Sequence, residues 1–144
     1  MNLKPMSLNQ SSKTNPSNKI PSWIDLNANE TTSIFFLVFL EDQDKAFNAV
    51  KNSTLPQEVI DYLTAEGTFT KLLNRAGFEI GYDSGLSALL FKGVLGKYIE
   101  DFLNIIAPYV YKNSYIEIKE AGSKYRWKFD GSTCKKIHQK IVWE

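Results

Sequence analysis

A chain of 144 residues, 43% apolar and 23% charged, fits one globular domain and excludes an intrinsically disordered protein. The formal net charge of +1 selects no class of partner. A single cysteine, Cys134, excludes an internal disulfide and favours a reducing, cytoplasmic setting. The longest apolar run, IFFLVFL over 34–40, is far short of the ~20 residues that span a bilayer, so no membrane segment is expected. The N-terminal stretch likewise lacks the apolar core of a secretory signal.

Residues 1–20 are rich in Asn, Ser, Lys and Pro and offer almost nothing to bury. They read as a disordered polar tail, leaving 21–144 as the domain. SIFFLVFL lacks alternation and is bounded by polar residues, which predicts a strand covered on both faces. EDQDKAFNAVKN predicts a helix with acids in its first turn, where the helix dipole favours them. In STLPQEVIDYLTAE, Ser53 or Thr54 can cap a second helix, and Val59, Ile60 and Leu63 share its apolar face. TFTKLLNRAG gives a third, with Gly77 as its stop.

GFEIGYDSGLSALLF predicts a hairpin turning at DSG, with Tyr82 opposite Leu86, Ile80 opposite Ala88 and Phe78 opposite Leu90. A helix over residues 84–92 is the competing reading. GVLG (93–96) has the wrong spacing for a phosphate cradle and reads as a turn. The clearest helical period follows over 96–110, where Tyr98, Ile99, Phe102, Ile105, Ile106 and Tyr109 recur at three- and four-residue spacing until Pro108 bends or ends it.

NSYIEIKE and SKYRWKF predict two strands joined at AG. That register sets Ile118 against Tyr125, Ile116 against Trp127 and Ser114 against Phe129. The reverse face then carries Lys119 with Lys124, Glu117 with Arg126, and Tyr115 with Lys128, while a one-residue slip would put Ile against Lys throughout. The interleaved cations and rings could be a base-stacking platform, but the rings share a face with two isoleucines, as a core requires. KKIHQKIVWE predicts a last strand beside this hairpin, its apolar period set by Ile137, Ile141 and Trp143. The expected class is α+β, a mainly antiparallel sheet with helices packed on one face.

Charge is unevenly spread. Between 25 and 66 eight acids face two lysines, a balance of −6, whereas between 112 and 140 eight bases face three acids, a balance of +5. Such a dipole steers a charged partner, or holds the two halves of the fold together. No phosphate loop, dinucleotide fingerprint or nucleophile elbow is present, and no cofactor or metal is implied. Cys134 and His138 share a side on helix or strand, yet two ligands do not close a zinc site, and an activated thiol needs an orienting third group, a role for which nothing in the sequence selects Asp130. EDQD (41–44) could attract a divalent ion, though an acidic helix start explains it equally.

The C-terminal stretch SYIEIKEAGSKYRWKFDGSTCKKIHQKIVWE is similar in style to small bacterial toxin-immunity proteins. The resemblance covers about the last third of the chain and carries over no functional residue. It implies a compact cytoplasmic protein without catalytic motifs that covers a toxin's active site. The sequence therefore points to a non-enzymatic protein-binding module acting by steric occlusion with charge complementarity. Its candidate contacts are the acids Glu41, Asp42 and Asp44, or the wet hairpin face of Lys119, Lys124, Arg126 and Lys128. The alternative is nucleic-acid binding by the basic C-terminal sheet, with Tyr125, Trp127 or Trp143 stacking.

Overall fold

The computed structural model describes residues 20–82 and 86–138. The expected tail, the DSG turn, Ile141 and Trp143 lie outside the described residues.

The apolar run at the start of the domain corrects the first expectation. It is not a strand buried on both sides. Phe36 and Val38 point into the core, while Phe35, Leu37 and Phe39 take the opposite side, as the two-residue period of a strand requires. Strand β1 (Thr31–Phe35) pairs with β5 (Tyr115–Glu120), and β2 (Leu37–Val38) pairs with β4 (Leu86–Phe91). The chain changes partner at Phe36, whose carbonyl accepts from Ala88 N at 3.1 Å. One extended stretch thus joins two antiparallel sheets: β1 and β5 are followed by β6 (Ser123–Phe129) and β7 (Cys134–His138) in the order β1-β5-β6-β7, and β2 and β4 by β3 (Phe78–Tyr82) in the order β2-β4-β3.

Helix α1 (Leu40–Lys51) begins directly after Phe39 and carries Glu41 and Asp42 in its first turn. Helix α2 (Gln57–Thr64) buries Val59, Ile60 and Leu63 as expected, but its cap position is Pro56 and has no side-chain cap. The Ser53 hydroxyl is engaged in the linker instead, donating to Val50 O at 2.7 Å. Helix α3 (Phe69–Ala76) is capped by Thr68, whose hydroxyl accepts from Lys71 N, and it ends at Gly77 with φ +110°. A β-carbon there would collide with the Lys92 carbonyl, so this position requires glycine.

Strands β3 (Phe78–Tyr82) and β4 form the expected hairpin, with Tyr82 opposite Leu86 and Ile80 opposite Ala88, which overturns the helical reading of 84–92. A bulge between Glu79 and Ile80 then shifts the register, so Phe78 faces Phe91 rather than Leu90. The shift delivers Phe91 to the core, where its ring lies 4.4 Å from Phe78, itself 4.6 Å from Phe36. Helix α4 (Ile99–Ile106) is flanked by 3-10 turns at Gly96–Tyr98 and Ala107–Tyr109. Pro108 sits in the second turn, where its missing N–H ends the α-helical ladder.

The C-terminal hairpin has the predicted register residue for residue, from Tyr115 opposite Lys128 to Lys119 opposite Lys124. Ala121 and Gly122 turn it with φ of +49° and +86°. Trp127 and Phe129 are buried beside Ile116 and Ile118, and Tyr125 is half-buried. Strand β7 (Cys134–His138) pairs with β6 (Ser123–Phe129). Here the expected dry side is reversed. Phe129 faces Cys134, so Cys134 is the inward apolar residue, and Ile137 stands opposite Arg126 on the outer face, half exposed. The architecture is α+β, with one apolar core beneath the inner face of the sheets and the helices packed on that face.

Candidate interaction surface

The outer face of the C-terminal sheet gathers every basic candidate. Lys119, Lys124, Arg126 and Lys128 stand on β5 and β6, and Lys135 of β7 lies opposite Lys128. Glu117 sits among them. Arg126 Nε donates to its Oε1 at 2.9 Å, Lys124 Nζ approaches Oε2 at 3.9 Å, and the Thr32 hydroxyl donates to Oε2 at 3.0 Å. The Arg126 hydrogen bond, followed by that of Thr32, holds this carboxyl below its ordinary value against the opposing effect of burial. A bulge between Thr31 and Ser33 turns both Thr32 and Ser33 to this face, and the Ser33 and Tyr115 hydroxyls bond at 2.9 Å. The Arg126 guanidinium lies 4.3 Å over the Tyr115 ring, so it is fixed by a carboxylate on one side and an aromatic face on another.

The acidic candidates lie on α1. Glu41 and Asp44 are exposed and Asp42 is half-buried. The structure forms no ion pair between these acids and the basic set among the described residues. What lies between the two sets is a stripe of exposed rings. Tyr111 N donates to Leu37 O at 2.9 Å, which anchors the Tyr111 ring edge-on to Phe35 at 6.1 Å and to Phe39 at 5.6 Å. Phe35, Phe39 and Tyr111 remain 42%, 36% and 39% exposed, and Leu40, next in the chain, is 76% exposed. Phe35 is also the register partner of Tyr115, so the stripe runs unbroken into the Arg126 site. Sequence reasoning missed these residues. The signal was the alternation Phe35, Leu37, Phe39 against Ile34, Phe36, Val38, hidden because every position is apolar.

The other chemical candidates are occupied structurally. Burial pushes the Cys134 thiol up to about 12, with Glu100 and Asp130 adding to the shift, and its backbone N–H donates to Asn104 Oδ1 at 3.0 Å, tying β7 to α4. His138 is exposed on the same side of the strand, its ring 6.1 Å from Tyr125. Asp130 accepts from the backbone of Ser132 and Thr133 at 2.9 and 2.7 Å, which lowers its carboxyl and commits it to the turn. Among the described residues no three His, Cys, Asp or Glu side chains converge on a metal position. A groove of about 270 Å³ lies between the 25–29 segment and the inner sheet face, lined by Asp25, Ile99, Ile118, Glu120 and Trp127. The Asp25 carboxylate there already accepts from Asn27 N at 3.0 Å. Of the rings proposed to stack on bases, Trp127 is too deeply buried to do so, Tyr125 is half-buried, and Trp143 lies outside the described residues.

No helix among the described residues is long and apolar enough to cross a membrane. No family model, curated protein or solved structure matches the chain.

Proposed function

We propose that this chain is a protein-binding module whose contact surface is the outer face of its C-terminal sheet together with the exposed rings beside it. The single observation that carries the reading is the exposed edge-to-face trio of Phe35, Phe39 and Tyr111. A surface that met only water would gain nothing from keeping these three rings packed together in the open, because contiguous apolar area is costly to leave wet. Aromatic anchors ringed by charge are the composition of a protein contact, with the rings supplying binding energy and the charged rims supplying orientation and rate. Arg126 belongs to both parts, since its stacked, paired guanidinium is a typical anchor.

The specific form proposed is an inhibitor of the toxin-immunity kind, which covers its partner's working site rather than performing chemistry. The test is affinity capture from cells of the native host, using the wild-type chain and the F39S/Y111S double variant. A partner held by the wild type, weakened about tenfold or more by the double variant, and losing its activity on stoichiometric addition of the chain, is the expected result. Equal recovery by the two forms, or no partner for either, overturns the assignment of this face.

A further inference from the structure

Resting on that reading of the face, we infer that the partner segment seated on it is acidic, with carboxylates held by Lys112, Lys128 and Lys135 and an apolar side chain set against Ile137. The strand register lays the surface out as a grid. Phe35 stands opposite Tyr115, Tyr115 opposite Lys128 and Lys128 opposite Lys135, so one row crosses the outer face from ring to cation. The next row holds Glu117, Arg126 and Ile137, and the row beyond it Lys119 and Lys124. Rows on one face are two residues apart, about 6.6 Å. Along β6 and β7, cations therefore stand at both ends of a span of about 13 Å, with Ile137 beside Arg126 at its middle.

Ile137 is 48% exposed and lies between two grooves. One, of about 250 Å³, is lined by Glu117, Lys124, Arg126 and His138, and the other, of about 370 Å³, by Lys112, Lys128, Asp130 and Lys135. A β-carbon on Gly131 would touch that of Lys112 at 3.4 Å, which places this lysine beside the 130–133 turn. The second groove is the unbalanced one. Its three lysines are exposed and form no ion pair among the described residues. Lys128 and Lys135 stand directly opposite each other, an arrangement that costs a sheet stability. Asp130 borders the groove, but one of its oxygens accepts from the Ser132 and Thr133 N–H groups and the other from the Thr133 hydroxyl. One carboxylate against three ammonium groups leaves an excess of positive charge, which an acidic partner segment complements.

The middle row decides between an acidic peptide and a phosphate chain. Glu117 stands there, so an incoming negative charge at that level is repelled, while Ile137 offers an apolar contact. A peptide can place an apolar residue in that row and acids on either side of it. A nucleic-acid strand carries a charge on every unit and cannot. Ile137 also has no aromatic face on which a base could stack. The Arg126 guanidinium, the group best shaped for a phosphate, is already held by Glu117 at 2.9 Å and by the Tyr115 ring.

Proton–nitrogen correlation NMR of the full chain, titrated with the capped peptide Gly-Glu-Ser-Leu-Ser-Glu-Gly, is the test. As an extended strand this probe turns both glutamates and the leucine between them to one side. Saturable shifts are expected in the amides of Lys112, Lys128, Lys135 and Ile137, with affinity falling as salt is raised. K128E/K135E should weaken binding about tenfold or more, and should instead accept the peptide in which lysines replace both glutamates. The same spectra report whether the variant folds, and K128Q/K135Q, which removes charge without reversing it, should weaken binding by a smaller factor. Absence of saturable shifts in the wild type, shifts scattered over other surface lysines, or an equal response to the lysine peptide overturns the inference. Tighter binding of oligothymidylate to the same residues overturns it as well and makes the face a nucleic-acid site. Absence of peptide binding alone leaves the reading of the face as a protein contact standing, because that depends on capture of another protein through Phe39 and Tyr111.

Discussion

Phe35 and Phe36 are adjacent on one strand and face opposite ways, so truncating each in turn separates core from contact surface. Phe36 is 1% exposed and packs its ring 4.6 Å from Phe78 and 5.7 Å from Phe129. Its loss leaves a cavity walled by neighbours that cannot collapse, so F36A is expected to cost about 3–5 kcal/mol. Phe35 is 42% exposed. Complete burial of a phenylalanine is worth about 1.5–3 kcal/mol, and Phe35 realises little more than half of that. Part of its edge contact with Tyr111 adds a few tenths, so F35A should cost about 1–2 kcal/mol. With a urea dependence of about 2 kcal/mol per molar, the midpoints should fall by about 2 M for F36A and by less than about 1 M for F35A. Tyrosine and tryptophan fluorescence in urea measures both. The ranking for binding is reversed, since F35A alone removes a ring from the contact face. Equal midpoint shifts, or a greater loss for F35A, would refute the division of this strand into an inner and an outer side.

The G77A variant should lose more than about 2 kcal/mol, because a left-handed φ and a collision with the Lys92 carbonyl act together; a near-wild-type urea midpoint would contradict this. The folded carboxyls of Glu117 and Asp130 are both held low, so their contribution is present above the unfolded values and is lost as pH falls through the folded ones. E117Q should therefore differ from wild type by about 0.5–1 kcal/mol at neutral pH, converging with it in acid; an unchanged difference at low pH would exclude the Arg126 pairing as the cause. Cys134, with its thiol pushed up to about 12, should alkylate slowly in the native protein at mildly alkaline pH and at an ordinary rate in urea, as followed by mass. Native and denatured rates that coincide would mean that the thiol is not buried.

The C-terminal hairpin was legible because its two faces differ in chemistry. Ile116, Ile118 and Trp127 alternate with Glu117, Arg126 and Lys128, so only one register keeps the apolar set together, and the structure has that register. The first strand was illegible for the opposite reason. Ile34 to Leu40 are all apolar, and periodicity carries no information when both faces read alike. Which side the helices cover is decided by packing elsewhere, and no local pattern reports it. Ile137 misled in the same way. It is an isolated apolar residue whose side is fixed by the pairing of Cys134 with Phe129, a long-range choice that its own segment does not encode. The bulge at Glu79 also lies beyond alternation, since it exists to bring Phe91 to Phe78 rather than to satisfy either strand alone.

The acidic and basic candidates were found from composition, yet what connects them was not. The connection arises because one extended stretch supplies inner residues to the core and outer residues to the surface. Phe36 and Val38 are locked inside, so Phe35, Leu37 and Phe39 are held in fixed directions outside. Tyr111 is fixed by its backbone bond to Leu37, Tyr115 by the Ser33 hydroxyl, and Arg126 by Tyr115 and Glu117. Binding through free side chains would cost about 0.5–1.5 kcal/mol for each one immobilised. Here that ordering has already taken place during folding. The same hydrogen bonds and packing that leave these rings exposed also make them ready to bind, which is the physical reason to place the contact on this face rather than on the lysines alone.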